Sequence, residues 1–491
     1  MSHTPAVAIV TSISELKRVV GASQLFTLGF GAIIGVGFVV GVGEWLTQAG
    51  PIGAIAAFLA GGILTMLVGL CYAEMATAVP ASGAEVAYAY EVFGMQACFA
   101  TGWFLVLAYI ATLVFEALSL AWIIRILIPG IDGPTLYRAF DEPVTLGGVL
   151  IGVLGMTVVA FLNYRGIAPA ARFQDVLTYM KIALALVFIS VGLTWGRTAN
   201  LDPLFQTRGA GPDWHGVLAV FLTSPFWLAG FSVIAQVMEE KASGTSLRAV
   251  GRLILFSIFM ALLFYCFVIL ACAMILPWRQ LIALDLPAAT GFQVAFGSMA
   301  LSRTVLFVAL LGNVTVWNSL FISASRVLFA LGRAEIVGAV FGRVHGFHQS
   351  PAAAILFVAA VASAGVLLGR RAIIPVVNVA SACFAMAYVV VCLSVLKLRR
   401  DRPTLERPYR VPGGPVTAWL AAAAALLMVG LALYQPAVES RIPTEWRILG
   451  AWTALGAVVW AFGQRRRRRL SAPERRALIL GGAAVRASSG T

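Results

Sequence analysis

Charged side chains are scarce in this sequence: Asp, Glu, Lys and Arg make up 11% of its 491 residues. An ordinary soluble domain carries about 25%. So few charges cannot cover a surface exposed to water, which excludes a soluble enzyme and a disordered chain. Cysteine is scarce as well. Cys71, Cys98, Cys266, Cys272, Cys383 and Cys392 all fall in apolar segments and none forms a C-x-x-C pair. They read as small buried hydrophobes rather than as a disulfide or metal framework. There are four histidines. His345 and His348 share an H-x-x-H spacing without a third ligand, and both are expected in a loop. The sequence contains no Walker loop and no H-E-x-x-H motif. An integral-membrane enzyme would need such a motif or a nucleophile–base pair, so no catalytic residue, metal or cofactor is expected. The apolar runs are continuous rather than alternating, which excludes a barrel as the main body.

What the sequence has is apolar length. Hydrophobic residues make up 60% of the chain and the mean hydropathy is +0.92. A bilayer-crossing helix needs about 20 such residues, so there is material for about a dozen. Twelve spans can be marked, at about 24–46, 52–74, 97–124, 145–163, 174–195, 216–237, 251–276, 303–325, 351–369, 372–396, 415–434 and 446–463. Residues 277–302 are expected as a short helix lying over the outer surface. The first span follows Lys17 and Arg18, as a signal peptide would, but no A-x-A cleavage site follows it.

Of the 35 Lys and Arg, 24 fall in regions that are cytoplasmic if the N-terminus is inside, and one, Lys181, falls within a span. That bias sets both termini in the cytoplasm of a multi-pass protein of the cell membrane. One stretch dissents: residues 75–95, assigned inside, are acidic, with Glu85 and Glu91 and no base. The net charge of +14 is accounted for by basic inner loops, without a nucleic-acid partner. Membrane lipid is the surrounding partner, and the chain is expected as a monomer or weak homo-oligomer. The run QRRRRRL reads as a stop that holds the last helix end inside, or as a grip on anionic headgroups.

Two spans invite interruption. The first reads LGFGAIIGVGFVVGVGEW, with Gly29, Gly31, Gly35, Gly37, Gly41 and Gly43. Each interior glycine costs a helix roughly 1 kcal/mol against alanine. Either the glycines let helices pack closely, or the helix opens where it lines a protein-walled cavity. The sixth span, FLTSPFWLAGFSVIAQVMEE, sets Pro225 near Gly230. Proline removes a backbone donor, and glycine then tolerates irregular backbone. Interrupted spans five apart point to an inverted-repeat transporter with its site at the midplane. The expected architecture is all-α: 1–23 a cytoplasmic segment, 24–195 and 216–396 two five-helix repeats, 397–463 helices 11 and 12 with the loop before them, 464–491 a basic tail. A half-helix N-terminus attracts anions and the opposing C-terminus attracts cations. A zwitterionic amino acid suits both.

At these residues the chain resembles the amino acid–polyamine–organocation permeases. The resemblance rests on GAIIGVGF (31–38), YAEMATAVPASGAEVAYAYEVFG (72–94), NYRG (163–166), PFWLAGF…EE in span six, SASR (323–326) and RPYRVP (407–412), in order over about residues 14–460. Two departures are Ala84, where many members have a second glycine, and Ala242-Ser243, where Asn-Pro is common. The resemblance implies a LeuT-like fold of twelve transmembrane helices in a 5+5 inverted repeat, with discontinuous helices 1 and 6. It implies an amino acid or related amine as substrate. By that analogy, backbone N–H groups around Gly35, Val36 and Gly37 hold the carboxylate. Carbonyls of Ala32, Ile33 and Ile34, and those near Phe226, hold the amine. Phe226, Trp227, Ala229 and Gly230 wall the side-chain pocket, and Trp227 or Phe231 acts as an aromatic gate. Ordinary helix packing is the alternative for these aromatics.

Lys181, Glu116 and Glu44 are ionisable residues within spans. Lys181 either reaches the interface beside Asp175 or titrates at the site; in proton-coupled members of the family a lysine at this place binds carbonyls of the broken first helix, where sodium-coupled relatives hold an ion. Glu116 in span three is a candidate by default, for the substrate amine or for a second proton, or else a protonated glutamate bonded to a neighbouring helix. Glu44 is expected at the outer interface. In span eight, Ser319 or Ser323 is expected to support the Lys181 head group, with Asn313 and Asn318 nearby; interhelical hydrogen bonds are the alternative. The function expected is proton-coupled symport by alternating access. An exchanger without net proton flux is the alternative. A channel lacks a charged ring, and a major-facilitator transporter would have a basic loop after span two.

Overall fold

The computed structural model describes residues 16, 18–139, 142–208, 211–437 and 443–481. Lys17, the segment before Leu16 and residues 482–491 of the tail lie outside the described residues. The chain is almost wholly helical. Helix α1 (Ala22–Ile33) is followed after three residues by α2 (Gly37–Ala78), then α3 (Glu85–Phe93) and α4 (Met95–Leu127). A hairpin, β1 (Thr135–Ala139) with β2 (Glu142–Thr145), leads into α5 (Leu146–Tyr164) and α6 (Ile167–Trp195). Two-residue strands β3 (Thr207–Arg208) and β4 (Gly211–Pro212) precede an interrupted stretch of α7 (Trp214–Leu222), α8 (Ser224–Trp227), a 3-10 turn at Ala229–Phe231 and α9 (Ser232–Gln236). Then come α10 (Leu247–Ile275), α11 (Trp278–Leu281), α12 (Pro287–Phe296), α13 (Met299–Arg333), α14 (Ala352–Val366), α15 (Ile373–Asp401), α16 (Gly414–Ala437), α17 (Thr444–Phe462), α18 (Gln464–Arg467) and α19 (Ala472–Leu480).

Side-chain caps start several helices. Thr145 accepts from the Gly148 N–H, Asp213 from those of His215 and Gly216, Ser246 from Ala249 and Ser298 from Leu301. Each satisfies an amide that has no partner within its helix.

Each of the twelve marked segments carries helix. Among the described residues, nine helical stretches are long and apolar enough to cross a membrane unaided. Helices α1 and α14 have 12 and 15 residues and fall short of that length. The expected loop between the first two spans is missing. In its place is a single tight corner: α2 consists of two helices that meet at Gly50, whose φ of 71° and ψ of 175° are non-helical and open freely only to glycine, just ahead of Pro51. Residues 277–302 form two short helices, α11 and α12, instead of one, because Leu286 takes a left-handed turn before Pro287. The acidic stretch after span two is not a plain loop, since α3 fills most of it. The basic tail does more than stop the chain: α19, opened by a Ser471–Glu474 capping box, packs back on the protein and buries Ile479 and Leu480.

The helices divide by burial. In α4 and α13, 83% of the most apolar window is covered by protein, against 22% in α5. The first two form the centre, and α5 turns Leu150, Leu154, Val158 and Phe161 outward. Residues 18–21 and 464–481 sit at one end of the bundle, here called the terminal end. Val20 bonds there to Glu240 and Ala242, and Arg475 to Ala334.

Candidate functional site

The gap between α1 and α2 spans Ile34–Val36, with Ile34 extended at φ −96°, ψ 92°. It therefore shows carbonyls from the end of α1 and amides from the start of α2. Both ends already have a partner of matching charge. Lys181 Nζ, on α6 and 1% exposed, donates to the Ile34 carbonyl at 2.5 Å, the Gly31 carbonyl at 3.4 Å and Thr315 Oγ1 at 2.8 Å. The Glu116 carboxylate, on α4, lies against the backbone at Gly35 and Val36 and accepts from Asn313 Nδ2 at 2.8 Å. A Cβ at Gly35 would lie 2.5 Å from Glu116 Oε1, so only glycine lets the carboxylate reach these amides. An ammonium on one end of the break and a carboxylate on the other reproduce, within the protein, the charge pattern of an amino acid.

The break meets the interruption of the sixth span. A Cβ on Gly230 would collide with the Ala32 carbonyl carbon, so the 3-10 turn at Ala229–Phe231 crosses directly over the end of α1. Both readings of the first-span glycines therefore hold in different places. The backbone opens only at 34–36, while Gly29 packs on Ile234 and Gly43 on Pro287.

Several residues take other roles than expected. Asp175 bonds to Thr27 and leaves Lys181 to the break. Thr315, one turn before Ser319, supports the lysine. Ser319 donates to the Leu28 carbonyl at 3.1 Å, and Ser323 Oγ is buried without a hydrogen-bond partner among the described residues. Asn318 ties helices together: its Nδ2 donates to Gln174 Oε1 and the Ala170 carbonyl, and its Oδ1 accepts from Asn163. The Ile33 carbonyl accepts from Tyr265 OH at 2.9 Å, which leaves its second lone pair. Thr315 and Tyr265 were missed. Thr315 at least lies on the same polar helix as Asn313 and Ser319, whereas Tyr265 sits in an all-apolar span with no local signal.

The aromatics split between two sides. Phe226, Trp227 and Phe115 stack edge to face, with ring centres 4.8–5.8 Å apart, and Trp45 closes on Trp227 at 5.0 Å. Above them opens a cavity of about 540 Å³ lined by Glu44, Gln48, Trp227, Arg370, Asn378 and Glu445. It lies at the far end, opposite the termini. Phe231 faces the other way, against Tyr72 and Tyr388, so it is not part of this roof. A larger cavity of about 1130 Å³ lies sideways between α5 and α6 and includes none of the expected site residues. Its walls are the outward-facing apolar residues Leu154, Val158 and Phe161, which suit lipid rather than a polar substrate.

Ion pairs close the terminal end. Arg326 grips Glu240 by two bonds at 2.6 and 3.1 Å, and Arg333 grips Glu239 at 2.6 and 3.0 Å. Arg399 and Arg407 pair with Glu74, and Arg476 of α19 with Glu91. Burial raises the Glu240 pKa, while the Arg326 guanidinium works against that shift.

The chain is similar to known proteins along most of its length. The family model described as "Amino acid permease" matches residues 20–462. The chain is 28% identical to the branched-chain amino acid permease BcaP of Bacillus subtilis, over 86% of this chain and 90% of that protein. It is 26% identical to the methylthioribose transporter of the same organism, over 92% and 94%. It is 27% identical to the human Asc-type amino acid transporter 1, over 81% and 74%.

Proposed function

The chain belongs to the amino acid permease family, and from that premise we propose that it is a secondary active transporter moving an amino acid or related amine across the cell membrane with a proton, by alternating access. The architecture proposed is the twelve-span, 5+5 inverted repeat, with both termini and the ion-paired end in the cytoplasm. The observation that carries the reading is the seating of Lys181 and Glu116 on the two ends of the break. A substrate carboxylate would compete with Glu116 for the amides of α2, and its amine would take the carbonyl end together with the backbone near Phe226. Trp227 and Phe226 roof the pocket towards the far-end cavity.

The lysine supplies the coupling. Charged, it bridges α1 to Thr315 of α13 and holds the break to the scaffold. Neutral, it loses the attraction for two carbonyls and frees α1 to move. No sodium ion is required where an ammonium group already stands.

Two measurements test this. Thermal unfolding of the purified protein is followed across the twenty amino acids, common amines and methylthioribose; a ligand at about 100 times its Kd adds roughly 2.7 kcal/mol. Hits then go to liposomes with an imposed pH gradient. Uptake that collapses with a proton ionophore supports symport. Counterflow that ignores the gradient points to exchange instead. In Lys181→Ala, binding is expected to persist while pH-driven uptake is lost; normal pH-driven uptake in that variant overturns the lysine's role.

A further inference from the structure

Glu85 opens α3 and is fully buried, yet among the described residues none of the ion pairs of the terminal end includes it. Its nearest partners are all neutral. Tyr72 OH of α2 donates to Oε1 at 2.8 Å, and the Gln236 amide of α9 meets Oε2. Tyr109 OH of α4 stands 3.5 Å from that amide, and bonds Ser232 Oγ at 3.2 Å. Tyr88 of α3 itself and Tyr388 of α15 are the remaining ionisable groups that feel its charge. Among the described residues, the charged groups of the surrounding elements are already engaged. Arg326 of α13 serves Glu240 and Ser325, Arg333 of α13 serves Glu239, Lys397 of α15 serves the Val92 carbonyl, Arg399 of α15 serves Glu74, Arg402 just beyond α15 serves Glu91, and Arg475 and Arg476 of α19 serve backbone carbonyls and Glu91.

A carboxylate removed from water without a cation protonates rather than remain charged. Burial pushes the Glu85 pKa up to about 8, against a smaller lowering by its own backbone amide and by Tyr72. A second, independent sign is the Gln236 side-chain oxygen, buried without a donor among the described residues. The two ends of an amide are assigned from the hydrogen-bond network alone. Turned end for end, Gln236 presents that oxygen to Glu85 as the acceptor a protonated carboxyl needs. The pair joins α3 to α9, the half-helix just before the ion-paired Glu239 and Glu240.

We propose that Glu85 is a proton-binding site of its own, distinct from Lys181 and Glu116, which is filled while the terminal end is closed and emptied when that end opens. Opening separates α9 from α3, wets the carboxyl and returns it to an ordinary acidity. The closed state then binds more protons than the open one between pH about 4.5 and about 8. Closure is favoured as pH falls, and opening rises about tenfold per pH unit through that window. The proposal rests on the transport reading only in identifying the terminal end as a gate.

Infrared titration and hydrogen exchange test it without any transported substrate. The protonated-carboxyl band of the protein in nanodiscs is expected to fade with a midpoint near pH 8. That component should vanish in Glu85→Gln and persist in Glu116→Gln. Amide exchange over residues 229–241, corrected for its intrinsic pH dependence, is expected to rise about tenfold per pH unit in the native protein and to be flat in Glu85→Gln. Tyr72→Phe, which removes a donor to the anion, is expected to move the midpoint upward; it serves if Glu85→Gln folds poorly. An unchanged band in Glu85→Gln, or an unchanged midpoint in Tyr72→Phe, overturns the proposal. A protein that passes these tests but moves no amino acid would refute the transport reading and leave the proton site standing.

Discussion

The two ends of the bundle are closed by different chemistry. At the far end a cavity of about 540 Å³ runs down to Trp227, and the ion pairs around it are open to solvent: in the Arg371–Glu142 pair the side chains are 60% and 33% exposed. At the terminal end Arg326 and Glu240 pair at 2% and 1% exposure. Solvent-exposed pairs contribute about 0–1 kcal/mol, whereas removing one partner of a buried pair costs about 3–5 kcal/mol. The far end is thus closed by aromatic packing and the terminal end by charges that must be separated together. On the transport proposed above, opening the terminal end needs a driving event at the site or at Glu85.

Four substitutions break or sharpen that contrast. The largest effect is expected from Arg326→Ala, which strands Glu240 in a buried place; loss of about 3–5 kcal/mol should appear as a lower unfolding midpoint and faster exchange over 229–241. A variant as stable as the native protein would show that the terminal end is not held by this pair. Trp227→Ala removes the roof over the break, at a cost of up to about 3 kcal/mol because one face already borders a cavity; the first-span amides after Val36 should then exchange faster while the terminal end stays protected. Ala84 has φ 30°, a region that disfavours any side chain. Ala84→Gly is expected to stabilise the turn before α3 by about 1 kcal/mol, and a destabilised variant would contradict the strain. The smallest effect belongs to Arg371→Ala, within about 1 kcal/mol in denaturation and with native binding. A large loss there would erase the difference between the ends.

Much of this was legible before any coordinates. The interruption of span one follows from its glycines, that of span six from Pro225 and Gly230, and Lys181 stands out because a lysine at that depth needs a reason. Which polar group answers it was not legible. Thr315, Ser319 and Ser323 all lie near one face of α13, and successive members of the set are about 40° and 6 Å apart. The choice depends on the axial offset between α13 and α1, which hydropathy does not encode. Which side Phe231 faces was not legible for a similar reason. Four residues after Trp227 it would share a face in a regular helix, but the 3-10 turn between them rotates it to the other side.

Composition and pattern by themselves determined a helical membrane chain, its apolar segments, the places where two of them break and the charged residues that membrane depth makes costly. These are local properties, set by each segment's own hydropathy and backbone freedom. The tertiary structure alone decided that Glu116 caps the amide end of the break, that Thr315 rather than a serine holds Lys181, that the tail folds back on α3 and α13, and that Glu85 is shut away without a cation. Each of these depends on which atoms of distant helices come within about 3 Å, and that is a matter of packing register, which no single segment carries.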